Sequence, residues 1–100
     1  MKKTFTVSVV IPTYQGGDNL VRLVDALLAQ RLRRNLLAEI IVYSDASPDD
    51  TEKKLAKIKS PRLKVVTAKK RRGFAYAVKY LLTHTRTDVV IILNDDILIR

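Results

Sequence analysis

Cysteine is missing from all 100 residues, which removes disulfide scaffolds, thiolate metal sites and cysteine nucleophiles. Histidine occurs once, at His84, too sparsely for the usual zinc sites or for a histidine-based triad. His84 falls near a predicted helix end, where a cation favours the helix dipole, and is given no catalytic role. Uninterrupted apolar runs reach only five residues, against the roughly 20 of a membrane-spanning helix. Met1-Lys2-Lys3 is a basic start, but Pro12 and the polar Thr13-Tyr14-Gln15 interrupt any signal-peptide core. What is present is ordinary for a globular domain: 47% apolar residues, too many for a disordered tail. The expectation is one soluble domain, cytoplasmic, with or without membrane association. Its unusual feature is charge, 19 Lys and Arg against 10 Asp and Glu, a net +9.

Strand-like and helix-like segments alternate along the chain. Residues 6–12 are β-branched and apolar and stop at a proline, predicting a first strand. Gly16-Gly17 breaks the chain, and Asp18 or Asn19 can cap a helix that carries Leu20, Leu23, Val24, Leu27 and Leu28 on one face. Ile40 to Tyr43 predict a second strand. Ser47-Pro48-Asp49-Asp50 reads as a helix start, with Ser47 as cap and Pro48 at the first helical position. Leu55 and Ile58 form that helix's apolar face, and Ser60-Pro61 ends it. Leu63 to Thr67 predict a third strand, Gly73 opens a helix through Leu82, and Val89 to Leu93 predict a fourth strand. The order βαβαβαβ implies an α/β fold, a three-layer, Rossmann-like open parallel sheet.

Ligands of open parallel sheets bind beyond the carboxyl ends of the strands. Four segments meet there: Pro12-Thr13-Tyr14, Ser44 to Ser47, Lys69 to Gly73, and Asn94-Asp95-Asp96. Adjacent carboxylates at Asp95 and Asp96 repel each other unless neutralised, and a hard divalent cation bridging to a diphosphate would do so; the dipeptide taken alone is more often a solvated acidic turn. Asp45 can accept from an imide N–H, which uracil, thymine and guanine carry; as a turn residue it needs no ligand. Tyr14 can stack on a base or pack on its neighbours. In Lys69-Lys70-Arg71-Arg72, Arg72 beside Gly73 is the chosen phosphate partner, assisted by N–H groups at the helix start; a solvated basic loop is the alternative.

Taken together these residues resemble the nucleotide-sugar-binding half of the family 2 glycosyltransferases, which have a GT-A fold. The matching stretches are Val7-Ser-Val-Val-Ile-Pro-Thr-Tyr14, residues 39–51, Arg72-Gly-Phe-Ala-Tyr-Ala77 and Ile92-Leu-Asn-Asp-Asp-Ile97, in the family's order and at suitable spacing. The resemblance implies inverting transfer of a sugar from a nucleotide diphosphate sugar, a UDP-sugar favoured, to an acceptor hydroxyl. By it, Pro12, Thr13 and Tyr14 match the first base-contacting segment, Asp45 the base-binding aspartate, and Arg72 and Gly73 the segment bordering the nucleotide. Asn94-Asp95-Asp96 matches the family's Asp-x-Asp, with Asp96 the expected contact of Mn²⁺ or Mg²⁺ and Asp95 supporting the sugar or metal.

Some positions depart from the pattern. Ser44 stands where the family usually has the first of two Asp, Ala46 where it often has Gly, and Val78 and Lys79 where Arg and Asn are common. The family's acceptor half and its general base would follow the fourth strand. The expectation is therefore a single domain, 1–100, without that half: its general base falls beyond Arg100, no catalytic residue lies within the chain, and it turns over weakly or not at all alone.

Nucleic-acid binding is disfavoured, since the cations are scattered and six aromatics show no basic-aromatic alternation. Peripheral membrane binding rests on the first helix extending through Gln30 into Arg31-Leu-Arg-Arg-Asn-Leu-Leu37 as a basic amphipathic segment. The fourth strand, last in the chain, leaves an edge that is open or covered by a partner, and a homodimer fits that geometry.

Overall fold

A computed structural model describes residues 6–29 and 37–96. The order is β1 (Val7–Thr13), α1 (Gly17–Ala29), β2 (Leu37–Ser44), α2 (Thr51–Ala56), β3 (Leu63–Thr67), α3 (Phe74–Thr83) and β4 (Val89–Ile92). The strands form one sheet in the order β3-β2-β1-β4, and every pairing is parallel. Gln30 to Leu36, the larger part of the proposed basic amphipathic extension, lies outside the described residues, as does Ile97 of the last matching stretch.

The central strands are apolar on both faces because both faces are covered, as parallel strands require. Val9, Ile11, Ile40 and Val42 point to one side and pack with Leu20, Leu23, Val24 and Leu27 of α1 and Leu55 of α2. Val10, Ile41 and Tyr43 point to the other side and meet Ala77 and Leu81 of α3. Each such side chain taken fully from water contributes about 1.5–3 kcal/mol. These two cores make the three layers, while the margin strands β3 and β4 stay largely exposed.

Pro12 does not end the first strand. Val10 O accepts from Leu93 N–H and Thr13 O accepts from Asp45 N–H, so even-numbered residues turn their N–H and C=O toward β4 and odd-numbered ones toward β2. The missing N–H of Pro12 therefore faces β4, where pairing has already stopped at Val10 and Ile92, and pairing to β2 continues through Thr13.

Helix starts differ from the expectation. Leu20 N–H reaches Gly16 O at 3.3 Å, which puts Gly16 at the cap and leaves Asp18 inside the first turn of α1, paired to Lys54 at 2.8 Å. Ser47-Pro48 does not start α2. Ser47 Oγ accepts from Gln15 N–H at 3.0 Å and so joins two loops instead of capping. The chain turns through Asp49, whose Oδ1 accepts from both the N–H and the hydroxyl of Thr51 at 3.1 and 2.6 Å, holding the Asp49 pKa below its ordinary value. Thr51 Oγ1 in turn accepts from Gly17 N–H at 3.0 Å, tying the starts of α1 and α2 together. Nor does α2 run to Ser60-Pro61: Lys57 and Ile58 N–H bond three residues back, tightening the last turn, and Ile58 folds onto the core. β3 matches the expected span, and β2 is longer than expected at both ends.

Candidate functional site

The carboxyl ends of β1, β2 and β4 and the start of α3 enclose a cleft of about 300 Å³, lined by Pro12, Thr13, Tyr14, Asp45, Arg71, Gly73, Phe74, Ala77, Asn94, Asp95 and Asp96. Pairing delivers the first part of this set, because β1 and β2 end in register at Thr13 and Ser44. Thr13 then uses its hydroxyl to reach the third segment, donating to Asp95 Oδ2 at 2.7 Å. Gly16 makes room for that bond: a Cβ there would stand 2.5 Å from Thr13 Oγ1 and 3.2 Å from Asp95 Oδ2.

Asp45 is 5% exposed, and its burial is matched by donors. Oδ1 accepts from Arg72 N–H at 2.7 Å and Oδ2 from Gly73 N–H at 2.9 Å. Gly73 caps α3 at φ 92°, a left-handed conformation that glycine adopts without a Cβ penalty. Asp45 is thus a strut between β2 and α3. A carboxylate offers about four lone-pair sites, so each oxygen can still accept once more, from the direction of the cleft.

Of the four consecutive cations, Arg71 faces this cleft. Its guanidinium lies 3.6 Å from the centre of the Tyr14 ring, with Nε 3.7 Å from Asp45 Oδ2, a stacked arrangement that suits guanidinium better than ammonium. The side chain of Arg72 goes to the opposite side of the loop, over Tyr76 at 5.4 Å, and only its backbone N–H serves Asp45. Successive side chains of an extended loop diverge, and the sequence run does not reveal which pair turns inward. Phe74 also escaped the sequence reading; it is 63% exposed at the cleft wall, where an apolar side chain lacks a protein neighbour to cover it.

The departures from the family pattern acquire physical content. Ser44 is fully buried, with Oγ 2.9 Å from both Ser47 Oγ and Glu52 Oε2. A carboxylate only accepts hydrogen bonds, so the Ser44 proton goes to Glu52; Asp at 44 would set two carboxylates against each other. Ala46 has φ 56°, in the region where L-residues are disfavoured and glycine is not. Val78 and Lys79 lie on α3 and do not line the cleft.

Among the described residues no three acidic or histidine side chains form a metal cage. The donors that are present fit a different kind of metal site. Asp95 is oriented by Thr13, and Asp96 is exposed at the cleft. One or two carboxylates completed by ligand phosphates and water suit Mg²⁺ or Mn²⁺, which prefer oxygen donors. The cleft therefore brings three carboxylates and one guanidinium together in a chain of net charge +9, so its acidity is local.

The glycosyl transferase family 2 model matches residues 8–100. Dolichol-phosphate mannosyltransferase of Pyrococcus furiosus is 33% identical over 92 residues, 91% of this chain and 26% of that protein. Mannosyltransferase PcManGT from Pyrobaculum calidifontis, in complex with GDP-Man and Mn²⁺, superposes with a TM-score of 0.83 at 28% identity, covering 95% of this chain and 28% of that one. S. aureus TarS 1-349, in complex with UDP-GlcNAc, gives 0.81 at 24% identity, covering 91% and 26%, a likeness of fold. The open parallel sheet is thus the expected part of a GT-A fold, and the chain spans about a quarter of the length of these relatives. Among the described residues no helix is long and apolar enough to cross a membrane.

Proposed function

The chain belongs to glycosyl transferase family 2, and from that premise we propose that its cleft holds a nucleoside diphosphate sugar whose sugar is transferred, with inversion, to an acceptor hydroxyl. The observation that carries this reading is Asp45: a buried carboxylate with both oxygens fixed by backbone donors, yet lining the same cleft as Tyr14, Arg71, Asp95 and Asp96. In this role Asp45 accepts the imide N–H of a uracil or guanine, a hydrogen bond that adenine and cytosine cannot return. Tyr14 offers its ring to the base, and Arg71, over that ring, supplies the cation for the diphosphate. The family resemblance favours uridine, and GDP-Man in the Pyrobaculum relative makes guanine its competitor.

Asp96, with Asp95 beside it, would hold the divalent ion, and Thr13 keeps Asp95 turned toward the cleft. The ion, when bound, stabilises negative charge on the departing diphosphate. In the displacement, the acceptor oxygen forms its bond to the anomeric carbon as the bond to the diphosphate oxygen breaks. We assign residues 1–100 to the donor-binding half of the reaction and place the acceptor's general base outside them; a base of that kind is worth about 10²–10⁴ in rate.

The test is thermal denaturation with UDP, GDP, ADP or CDP, each with and without Mn²⁺. UDP or GDP with Mn²⁺ raises the melting temperature, and Asp96→Ala removes the metal-dependent part of the shift. A melting temperature indifferent to every nucleotide and to the metal would remove the reading.

A further inference from the structure

The loop from Ala68 to Gly73 separates two cavities. Behind it, on the α3 side of the sheet, lies a second one of about 610 Å³. Lys69, Lys70 and Arg72 border it, Tyr76 and Tyr80 of α3 form its wall, and Tyr43 of β2 lies at its base. Among the described residues no carboxylate lines it.

Tyr43 is the informative residue. It is 3% exposed, its ring lies 6.3 Å from Tyr76 and 5.2 Å from Tyr80, and its hydroxyl makes no hydrogen bond among the described residues. No fully buried side-chain polar atom among the described residues lacks a partner, so this hydroxyl keeps a little solvent access, and Tyr43 is part of the cavity lining. Burial, reinforced by Tyr76 and Asp45, raises its pKa above the ordinary 10. It therefore keeps its proton at neutral pH and remains a donor.

We propose that this cavity is a second ligand site, separate from the nucleotide cleft, that takes a phosphate monoester bearing a flat or apolar substituent. Three cations and a hydroxyl supply donors with no carboxylate in the lining, Asp45 being turned to the backbone of the loop, and the ligand that answers such a set is an anion with several acceptor oxygens. Tyr76, half exposed, offers its ring to the substituent, and Tyr80, whose ring is stacked on His84 at 3.9 Å, supplies the wall beside it. A single-stranded polymer needs a groove tracking roughly 4–16 nucleotides, whereas this lining is confined to the ends of two strands and one face of α3. Sequence conceals the site, because Tyr43 is far from the cations at 69–72 and only folding brings β2 under α3.

The probe is phenyl phosphate, titrated into the chain at about 150 mM salt, where diffuse surface attraction is screened, while ¹³C-labelled tyrosine ring signals are followed by NMR. Tyr43, Tyr76 and Tyr80 shift together and Tyr14 does not. Tyr43→Phe, which keeps the ring and removes the hydroxyl, weakens binding roughly threefold to tenfold, the worth of one net hydrogen bond. The pair Lys69→Ala, Lys70→Ala weakens it further. Asp96→Ala leaves it unchanged, which makes the result independent of the nucleotide reading. Vesicles containing phosphatidic acid that displace phenyl phosphate assign the natural phosphate to a lipid headgroup; vesicles that fail to displace it assign a soluble ester. Absence of shifts at millimolar phenyl phosphate overturns the proposal. So does a response confined to Tyr14, or an affinity that survives both Tyr43→Phe and the lysine substitutions.

Discussion

Gly73 donates its backbone N–H to Asp45 Oδ2 at 2.9 Å, joining the start of α3 to the end of β2 across 28 residues of sequence. With Arg72 N–H on the other oxygen at 2.7 Å, this bond fixes the loop that forms one wall of the cleft. The same carboxylate is the proposed base ligand, so structure and recognition share one side chain.

Asp45→Asn separates these duties. The amide retains one acceptor oxygen and turns an NH₂ toward one of the two backbone donors, leaving a mostly buried N–H without a partner. The expected loss is about 1–3 kcal/mol in stability, read by urea denaturation, together with a nucleotide-induced thermal shift reduced well below the parent's. Unchanged stability would mean that the two backbone bonds do not hold the loop.

Arg71 and Arg72 should behave differently despite adjacency. Arg71→Ala removes the guanidinium over Tyr14 and beside Asp45, and nucleotide diphosphate affinity falls roughly 5- to 20-fold, as expected for losing a charge-assisted contact. Arg72→Ala changes that affinity by less than about twofold, since its side chain lies over Tyr76. Calorimetric titration of both variants decides which cation serves the cleft, and equal losses would contradict the orientation described above.

Ala46→Gly should stabilise the fold. At φ 56° an alanine carries the left-handed penalty of about 1–2 kcal/mol, partly offset by the greater freedom of glycine in the unfolded chain. A net gain of about 0.5–1 kcal/mol follows, visible as a higher urea midpoint at unchanged slope. A destabilised variant would show that the Ala46 methyl makes a compensating contact.

Acid sensitivity should trace in part to Glu39. Its burial favours the protonated form, but the Ser8 hydroxyl at 2.7 Å and Lys64 Nζ at 2.9 Å outweigh that and hold its pKa below the ordinary 4.5. A depressed folded-state pKa adds stability above the unfolded value and loses it as pH falls through the folded one. The parent should therefore exceed Glu39→Gln in urea resistance near pH 7, with the gap closing as pH falls below the ordinary 4.5 and through the lower folded-state value. A gap independent of pH would assign the difference to packing alone.

Much of the fold was readable without coordinates, for a simple reason. Val9 to Ile11 and Ile40 to Tyr43 are apolar without alternation, and only a sheet covered on both faces buries such strands. The spacing of Leu20, Leu23, Val24 and Leu27 likewise selects one helical face. Parallel strands must end at one edge, so Tyr14, Asp45, Asp95 and Asp96 were bound to meet there before their distances were known.

Local signals failed where a polar group had two suitors. Ser47 followed by Pro48 satisfies every rule for a helix cap, yet Gln15 N–H takes its oxygen. Thr51, unremarkable in sequence, is buried and links Gly17 to Asp49. In such cases chain neighbours compete with residues tens of positions away: Gln15 stands 32 positions from Ser47, and Gly17 stands 34 from Thr51.

Hydrophobic periodicity is a local property, so the residues alone specify an open parallel α/β sheet and the segments that reach its carboxyl edge. Folding sets the rest: Arg71 turns to Tyr14 while Arg72 turns to Tyr76, Asp45 braces a loop while lining a cleft, and Tyr43 lies beneath a basic cavity. Those are directions of side chains around a loop and across a sheet. They depend on where β2, β3 and α3 come to rest against one another, which no stretch of neighbouring residues encodes alone.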